Sequence, residues 1–322
     1  MMNTKTTLNR RTFVRTVGAA CVANTIRPLL AESSSIDPPT SSPLRLGVVV
    51  WVGQGQSIES AIQRVQALGL PTCQIGFECL TPEVAAPLKN ALAKYGIEAT
   101  ALSEHGPGPR VFDFYEGPRT IGIVPRATRK ARIRNLKLAA DVAEACGIRS
   151  IHTHCGFIPE DPNDSFYPEA VAAVREVASY CGDRGRLFLC ETGEETPITL
   201  LRLIQDAGLA NIFVNLDLAN LILYGKGNPV DAMYVIGRLV RGIHAKDGLF
   251  PTDPRNLGEE VVIGKGMVDF PAVFEQLRRV RYNGAVTIER ETEGAEQREE
   301  ILRSKVFLQS TIEKAYRQLP QA

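Results

Sequence analysis

From residue 44 onward, eight short apolar runs alternate with stretches of one-sided helical periodicity. The runs occupy residues 44–52, 72–78, 97–103, 148–154, 186–191, 211–217, 241–245 and 284–289. They are almost continuously apolar, as strands are when both faces of a sheet are covered. Between them, Ile58, Ala61, Ile62, Val65 and Leu68 follow the spacing i, i+3, i+4, i+7, i+10, and Phe270, Val273, Phe274, Leu277 and Val280 repeat it. Each set reads as a helix burying one face. Gly69, Gly96, Gly147 and Gly208 stand where helical patterns stop, and Ser57 and Thr196-Pro197 stand where they can start. Eight strands and eight helices predict an α/β chain folded as a (β/α)8 TIM barrel, a fold of roughly 250 residues. An open doubly wound sheet is the alternative. It would bring a glycine-rich first turn, and Gly53-Gln54-Gly55-Gln56 lacks the third glycine.

The N-terminus has a different character. Residues 1–31 hold Lys5, Arg10, Arg11, Arg15 and Arg27 and no acid. Arg10-Arg11 precede a modest apolar stretch and Leu29-Leu30-Ala31, the pattern of a twin-arginine export signal. That stretch is too short to span a bilayer, so no stable membrane insertion is expected. The Ser/Pro-rich residues 32–43 read as a linker, and 44–322 as the barrel. The expected location is the periplasm. The whole chain has a formal charge of +1, and without the five N-terminal cations the remainder stands at −4. A mildly acidic body lacks the basic face that nucleic acid requires. The seven cysteines show no paired metal spacing, and several lie inside apolar runs, so no structural disulfide is expected. That suits a protein that folds before export.

Glu191, Asp217, His244 and Glu289 each end one of four successive strand candidates. Singly, each has a structural reading: a strand-end carboxylate can cap the next helix, and a histidine can fill a barrel mouth. Together they occupy equivalent places on strands five to eight and converge on one point. Three oxygen donors and one imidazole suit a single divalent ion. All four histidines (His105, His152, His154 and His244) fall at or near strand C-ends. Residues 106–126, rich in proline, glycine and aromatics, predict a loop over the mouth, and 252–265 a second long insertion. Gly264-Lys265-Gly266 reads as a turn before a helix starting at Asp269.

The segments Cys190-Glu191-Thr192-Gly193, Asn215-Leu216-Asp217-Leu218-Ala219-Asn220, His244-Ala245-Lys246-Asp247, Gly264-Lys265-Gly266-Met267-Val268-Asp269-Phe270 and Ile288-Glu289-Arg290-Glu291 resemble the xylose-isomerase-like barrel superfamily of sugar-phosphate isomerases and epimerases. The resemblance covers about residues 44–316 and implies one Mn²⁺, Mg²⁺ or Co²⁺ ion held by Glu191, Asp217, His244 and Glu289. The chain departs from some members. Endonuclease IV uses three zincs and many more histidines. Ketose 3-epimerases tend to carry His where Asn220 stands, and an Asn-Arg segment where Thr192-Gly193-Glu194-Glu195 stands.

The expected activity is isomerisation or epimerisation of a small, unphosphorylated keto-sugar or polyol. A proton leaves the carbon beside a carbonyl, through an enediolate. Glu191 and Glu289 would flank that carbon as acid and base. His154 and Asn220 would contact substrate; Lys246 would steady an oxyanion or pair with Asp247; Trp51, the single tryptophan, would stack on a sugar ring or fill the core. The alternatives are a lyase or dehydratase acting on a 3-keto sugar or inosose, and a carbohydrate-binding barrel without catalysis. A homodimer is compatible with the resemblance.

Overall fold

A computed structural model describes residues 44–292 and 294–317. The expected export signal and linker lie outside the described residues. Eight parallel strands close into a barrel: β1 (Arg45–Val52), β2 (Thr72–Phe77), β3 (Glu98–Ser103), β4 (Ser150–His154), β5 (Leu187–Glu191), β6 (Ile212–Asp217), β7 (Val240–Ala245) and β8 (Ala285–Ile288). Each pairs with its sequence neighbours, and β8 returns to β1 with Ala285 opposite Arg45. Closure removes every free edge and excludes the open sheet.

Among the described residues, eight helices of at least eight residues ring the barrel: α1 (Ile58–Ala67), α2 (Ala85–Tyr95), α3 (Arg126–Cys146), α4 (Tyr167–Gly182), α5 (Pro197–Ala207), α6 (Pro229–Ile236), α7 (Phe270–Arg279) and α8 (Ala295–Arg317). Local chemistry sets their ends. Ser57, Thr196 and Asp269 cap α1, α5 and α7 by accepting the amides of Ser60, Thr199 and Ala272. Gly147, at φ 74°, closes α3 in the left-handed region that favours glycine. The inner faces carry the expected residues: Ala61, Ile62 and Val65 on α1, and Phe270, Val273, Phe274 and Leu277 on α7, all buried. None of the described helices is long and apolar enough to cross a membrane.

The barrel interior departs from the apolar layers usual for this architecture. Thr72, Gln74, His152, Asn215, His244 and Thr287 are all buried. Gln74 Nε2 donates to Asn215 Oδ1 across the lumen at 3.2 Å. Asn215 can lie there because β7 offers Gly242: a Cβ at that position would stand 2.1 Å from Asn215 Oδ1.

Two loops build the mouth. After β3, the expected loop contains one helical turn, Gly117–Thr120. It is stapled from below by Arg132 of α3, whose fully buried guanidinium donates to the carbonyls of Pro107, Pro109 and Gly122 at 3.1, 2.7 and 2.7 Å. After β7, the insertion includes a two-stranded antiparallel ribbon, Asp247–Gly248 with Glu260–Val261. The Asp247 carboxylate accepts the amides of Gly248, Gly264, Gly266 and Val268 at 2.8–3.1 Å. The pairing of Lys246 with Asp247 is therefore corrected: this carboxylate is taken up by four backbone donors. The Gly264–Gly266 turn is anchored by the same hub. The described cysteines, Cys73, Cys79, Cys146, Cys155, Cys181 and Cys190, are all free thiols.

Candidate metal centre

Strand register brings the four strand-end residues together. Asp217 of β6 stands opposite His244 of β7, and His154 of β4 opposite Glu191 of β5. Glu289 lies just past β8, its amide bonded to Ala245 O at 3.0 Å. One ligand atom from each of Glu191, Asp217, His244 and Glu289 lies within 4.8 Å of the other three.

The convergence point is one nitrogen. His244 Nδ1 lies 2.9 Å from Glu191 Oε1, 3.2 Å from Glu289 Oε2 and 3.7 Å from Asp217 Oδ2. The other ring nitrogen is committed. Gln74, oriented by its bond to Asn215, presents Oε1 to His244 Nε2 at 2.7 Å, so Nε2 carries the proton and donates. Nδ1 is then the ring nitrogen that faces the three carboxylates. His244 Nδ1 and Asp217 Oδ2 are buried with no hydrogen-bond partner. Asp217 Oδ1 is meanwhile occupied by the amides of Ala219 and Asn220, at 2.8 and 2.6 Å. This carboxylate thus caps the turn after β6 with one oxygen and offers the other to the centre. Such a set of buried acceptors requires a cation in its midst. A proton on Nδ1 is the smallest that serves: burial opposes it, but Glu191 and Glu289 raise the His244 pKa well above its ordinary value. Burial likewise pushes Asp217 up, to about 7, partly offset by the Lys246 ammonium. A divalent ion fits the same donors without spending Nδ1 on a proton.

The pattern of the family described as Xylose isomerase-like TIM barrel matches residues 58–310. The chain belongs to that family. Among solved structures, this xylose-isomerase-like barrel is similar to the xylose isomerase domain protein from Planctomyces limnophilus, at 30% identity and a TM-score of 0.78 over 85% of this chain and 99% of that one. A D-tagatose 3-epimerase-like protein matches at 19% and 0.68, over 86% of this chain and 100% of its own. The 3-keto-D-glucoside 4-epimerase of E. coli matches at 15% and 0.65, over 83% and 99%. At the two lower identities the likeness shows the fold alone.

Around the centre of this family member, the other candidate residues take distinct places. Lys246 is fully buried, its Nζ 3.4 Å from Glu289 Oε2, 2.5 Å from Glu291 Oε1 and 3.4 Å from Asn220 Oδ1. Asn220 therefore meets Lys246 and, through its backbone, Asp217. His154 Nε2 lies 3.7 Å from Glu191 Oε1, while Nδ1 pairs with Glu194 at 3.0 Å. Burial would lower the His154 pKa, but Glu194 and Glu191 outweigh it and raise it to about 10. Trp51 is not at the four-residue centre. Its indole crosses β2 and stacks on His105 with ring centroids 4.8 Å apart.

Several residues at the centre are given no role by the strand-end reading. His152, mid-strand in β4, donates from Nδ1 to Glu191 Oε2 at 3.0 Å. Gln74 sets the tautomer of His244. Both are polar residues inside otherwise apolar runs, and that is the signal that marks them. Glu194 and Glu195 are buried although they sit in a polar stretch before α5, which offers no such signal.

Proposed function

We propose that this barrel is a divalent-metal-dependent isomerase or epimerase that moves a proton at the carbon beside a carbonyl of a small keto-sugar or polyol. One observation carries the reading: three carboxylates converge on Nδ1 of a histidine whose other nitrogen is already committed to Gln74. Glu191, Asp217, His244 and Glu289 would hold the ion. When bound, a hard divalent ion such as Mn²⁺, Mg²⁺ or Co²⁺ supplies Lewis acidity, which polarises a carbonyl and acidifies the adjacent C–H. The reaction class is taken from the names of the epimerases that share the fold.

The protein's own groups do the rest. Glu289, with 14% of its side chain exposed, faces the mouth and takes the proton; Lys246 beside it offers a positive charge to the oxygen that gains electron density. Glu191 lies across the centre, oriented by His152. His154, held by Glu194, presents Nε2 toward the same space and can donate to a substrate hydroxyl. The two flanking carboxylates are not equivalent, because Glu191 Oε2 is bound to His152 and Glu191 is fully buried. That asymmetry favours, as a second reading, a lyase in which Glu289 alone removes the proton and a β-substituent departs.

Incubation of the Mn²⁺-loaded protein in D₂O with a panel of keto-sugars and inososes tests both. The expected result is deuterium entering the carbon beside the carbonyl, reduced about 10²–10⁴-fold in Glu289→Gln. Unchanged product mass, apart from the label, assigns isomerase; loss of water or a sugar assigns lyase. Solvent exchange at the same rate in Glu289→Gln would refute the assignment of the base.

A further inference from the structure

A column of rings leads away from the metal centre. His154, whose Nε2 is 3.7 Å from Glu191 Oε1, stacks on His105 with centroids 5.5 Å apart and planes 19° from parallel. His105 in turn stacks on Trp51, at 4.8 Å and 16°. Phe112, from the mouth loop, sets its edge against both imidazoles, at 6.4 and 6.0 Å. The inner end of this column touches the candidate reaction centre. Its outer end is bare: Trp51 is 36% exposed and Phe112 48%.

The exposure is built in. Trp51 reaches His105 only by lying across β2 at Gly76, where a Cβ would stand 2.4 Å from the indole ring. Phe112 rides on the loop that Arg132 ties down through three carbonyls. Directly after it, Asp113 accepts the amides of Tyr115, Glu116 and Gly117 at 2.8, 2.6 and 3.2 Å, fixing the turn. Two large rings are thus held toward solvent at set positions, so a ligand meeting them has little loop ordering to do. Exposed aromatic surface continuous with a polar centre is the form of a ligand subsite. An aromatic face suits the C–H face of a pyranose, whose hydroxyl rim needs polar neighbours. Glu78 provides one beside Trp51: its amide bonds to Val52 O, and its exposed carboxylate accepts from Gln54 N at 2.8 Å.

We propose that Trp51 and Phe112 form a second sugar subsite, and that the natural substrate is a two-ring keto-glycoside whose reacting ring lies at the centre and whose other ring lies on these aromatics. This rests on the isomerase or lyase reading and narrows its substrate class. Distance supports two rings over one: Trp51 is two ring-to-ring steps from His154, of 5.5 and 4.8 Å, while a single sugar ring spans about one.

Trp51 is the single tryptophan of the chain, so its fluorescence reports occupancy of this subsite directly. The full chain, loaded with Mn²⁺, is titrated with D-fructose and with the keto-disaccharides isomaltulose and maltulose, by calorimetry and by tryptophan emission. The disaccharides should bind about tenfold more tightly than fructose and shift the emission, with fructose leaving it unmoved. The tenfold ratio should collapse toward one in Phe112→Ala, which keeps the reporter, and in Trp51→Leu, followed by calorimetry. Mn²⁺ titration of each variant checks that the barrel is intact. Equal affinities, or tight disaccharide binding with silent emission, would overturn the subsite. If fructose binds and exchanges deuterium while the disaccharides gain nothing, the subsite fails and the isomerase reading stands. If no ketose binds, the two-ring proposal falls, and the isomerase or lyase reading is decided by deuterium exchange with the inososes.

Discussion

Glu104 and Glu191 stand at comparable places, each near the C-end of a barrel strand and each buried, yet their pKa values move in opposite directions. Glu191 faces imidazoles. Burial alone would raise its pKa, but His154 and His244 outweigh that and carry it well below the ordinary value. Glu104 turns outward between strand and helix, where its oxygens accept from Phe77 N at 3.2 Å and Asn135 Nδ2 at 2.9 Å. Burial pushes its pKa up to about 8, and the Asn135 and Phe77 hydrogen bonds and the Arg110 charge only partly offset it. Burial is common to both sites, so what lies opposite decides the charge. The same division runs through the whole mouth. The β5–β8 side concentrates negative charge around one nitrogen; the β1–β3 side offers aromatic rings laid over a glycine. On the proposed function, one side would hold the ion and move the proton, and the other would meet the neutral part of the ligand.

The sharpest way to break this contrast is His244→Ala. It removes the nitrogen on which three carboxylates converge, and Mn²⁺ affinity should fall well beyond the roughly 10–100-fold that loss of an outer partner costs. In the unmodified protein Mn²⁺ should raise the melting temperature, by linkage worth about 2.7 kcal/mol at a hundred times Kd. A chelator should reverse it, and the variant should show no metal-dependent shift. A variant that still bound Mn²⁺ tightly would separate the charge cluster from any metal role. A smaller effect is expected for Gln74→Leu, which leaves all four donors but frees His244 Nε2 from its acceptor. Affinity should drop about 10–100-fold, read by calorimetry. An unchanged affinity would mean that the lumen network orients nothing.

The charged side was the legible one. Its four donors end consecutive strands, and the period of a (β/α)8 chain converts that sequence position into spatial convergence. The grouping of Glu191, Asp217, His244 and Glu289 follows from topology without knowledge of any side-chain contact. The ring column is different. Trp51 comes from β1, and His105 and Phe112 from the stretch after β3; their meeting depends on an indole crossing a neighbouring strand over Gly76. No periodicity encodes such a cross-strand reach. Lys246 shows the same limit: sequence offered Asp247 as its neighbour, but the backbone amides of the 264–268 turn claimed that carboxylate first. The fold was read almost whole because strand and helix patterning is local. The two-residue ribbon after β7 was not, because it is too short to have a pattern.

Glu104→Gln gives the smallest effect and bears most directly on why the two carboxyls differ. The folded-state pKa of about 8 lies above the ordinary 4.5. A raised folded pKa means the native state binds the extra proton, so this group's contribution is fully present below about pH 4.5 and is lost as pH rises through 8. Between those limits the unmodified protein should lose stability relative to Glu104→Gln at up to about 1.4 kcal/mol per pH unit, the slope for one proton. The substituted carboxamide is neutral at every pH and can still accept from Phe77 N, with the Asn135 amide turned over to meet its NH₂. Guanidinium unfolding of both proteins at pH 5.5, 6.5 and 7.5 measures the difference. A widening gap in favour of the glutamine variant is expected. A constant gap would show that Glu104 is ionised throughout, compensated as Glu191 is, and the two strand ends would then be alike in charge after all.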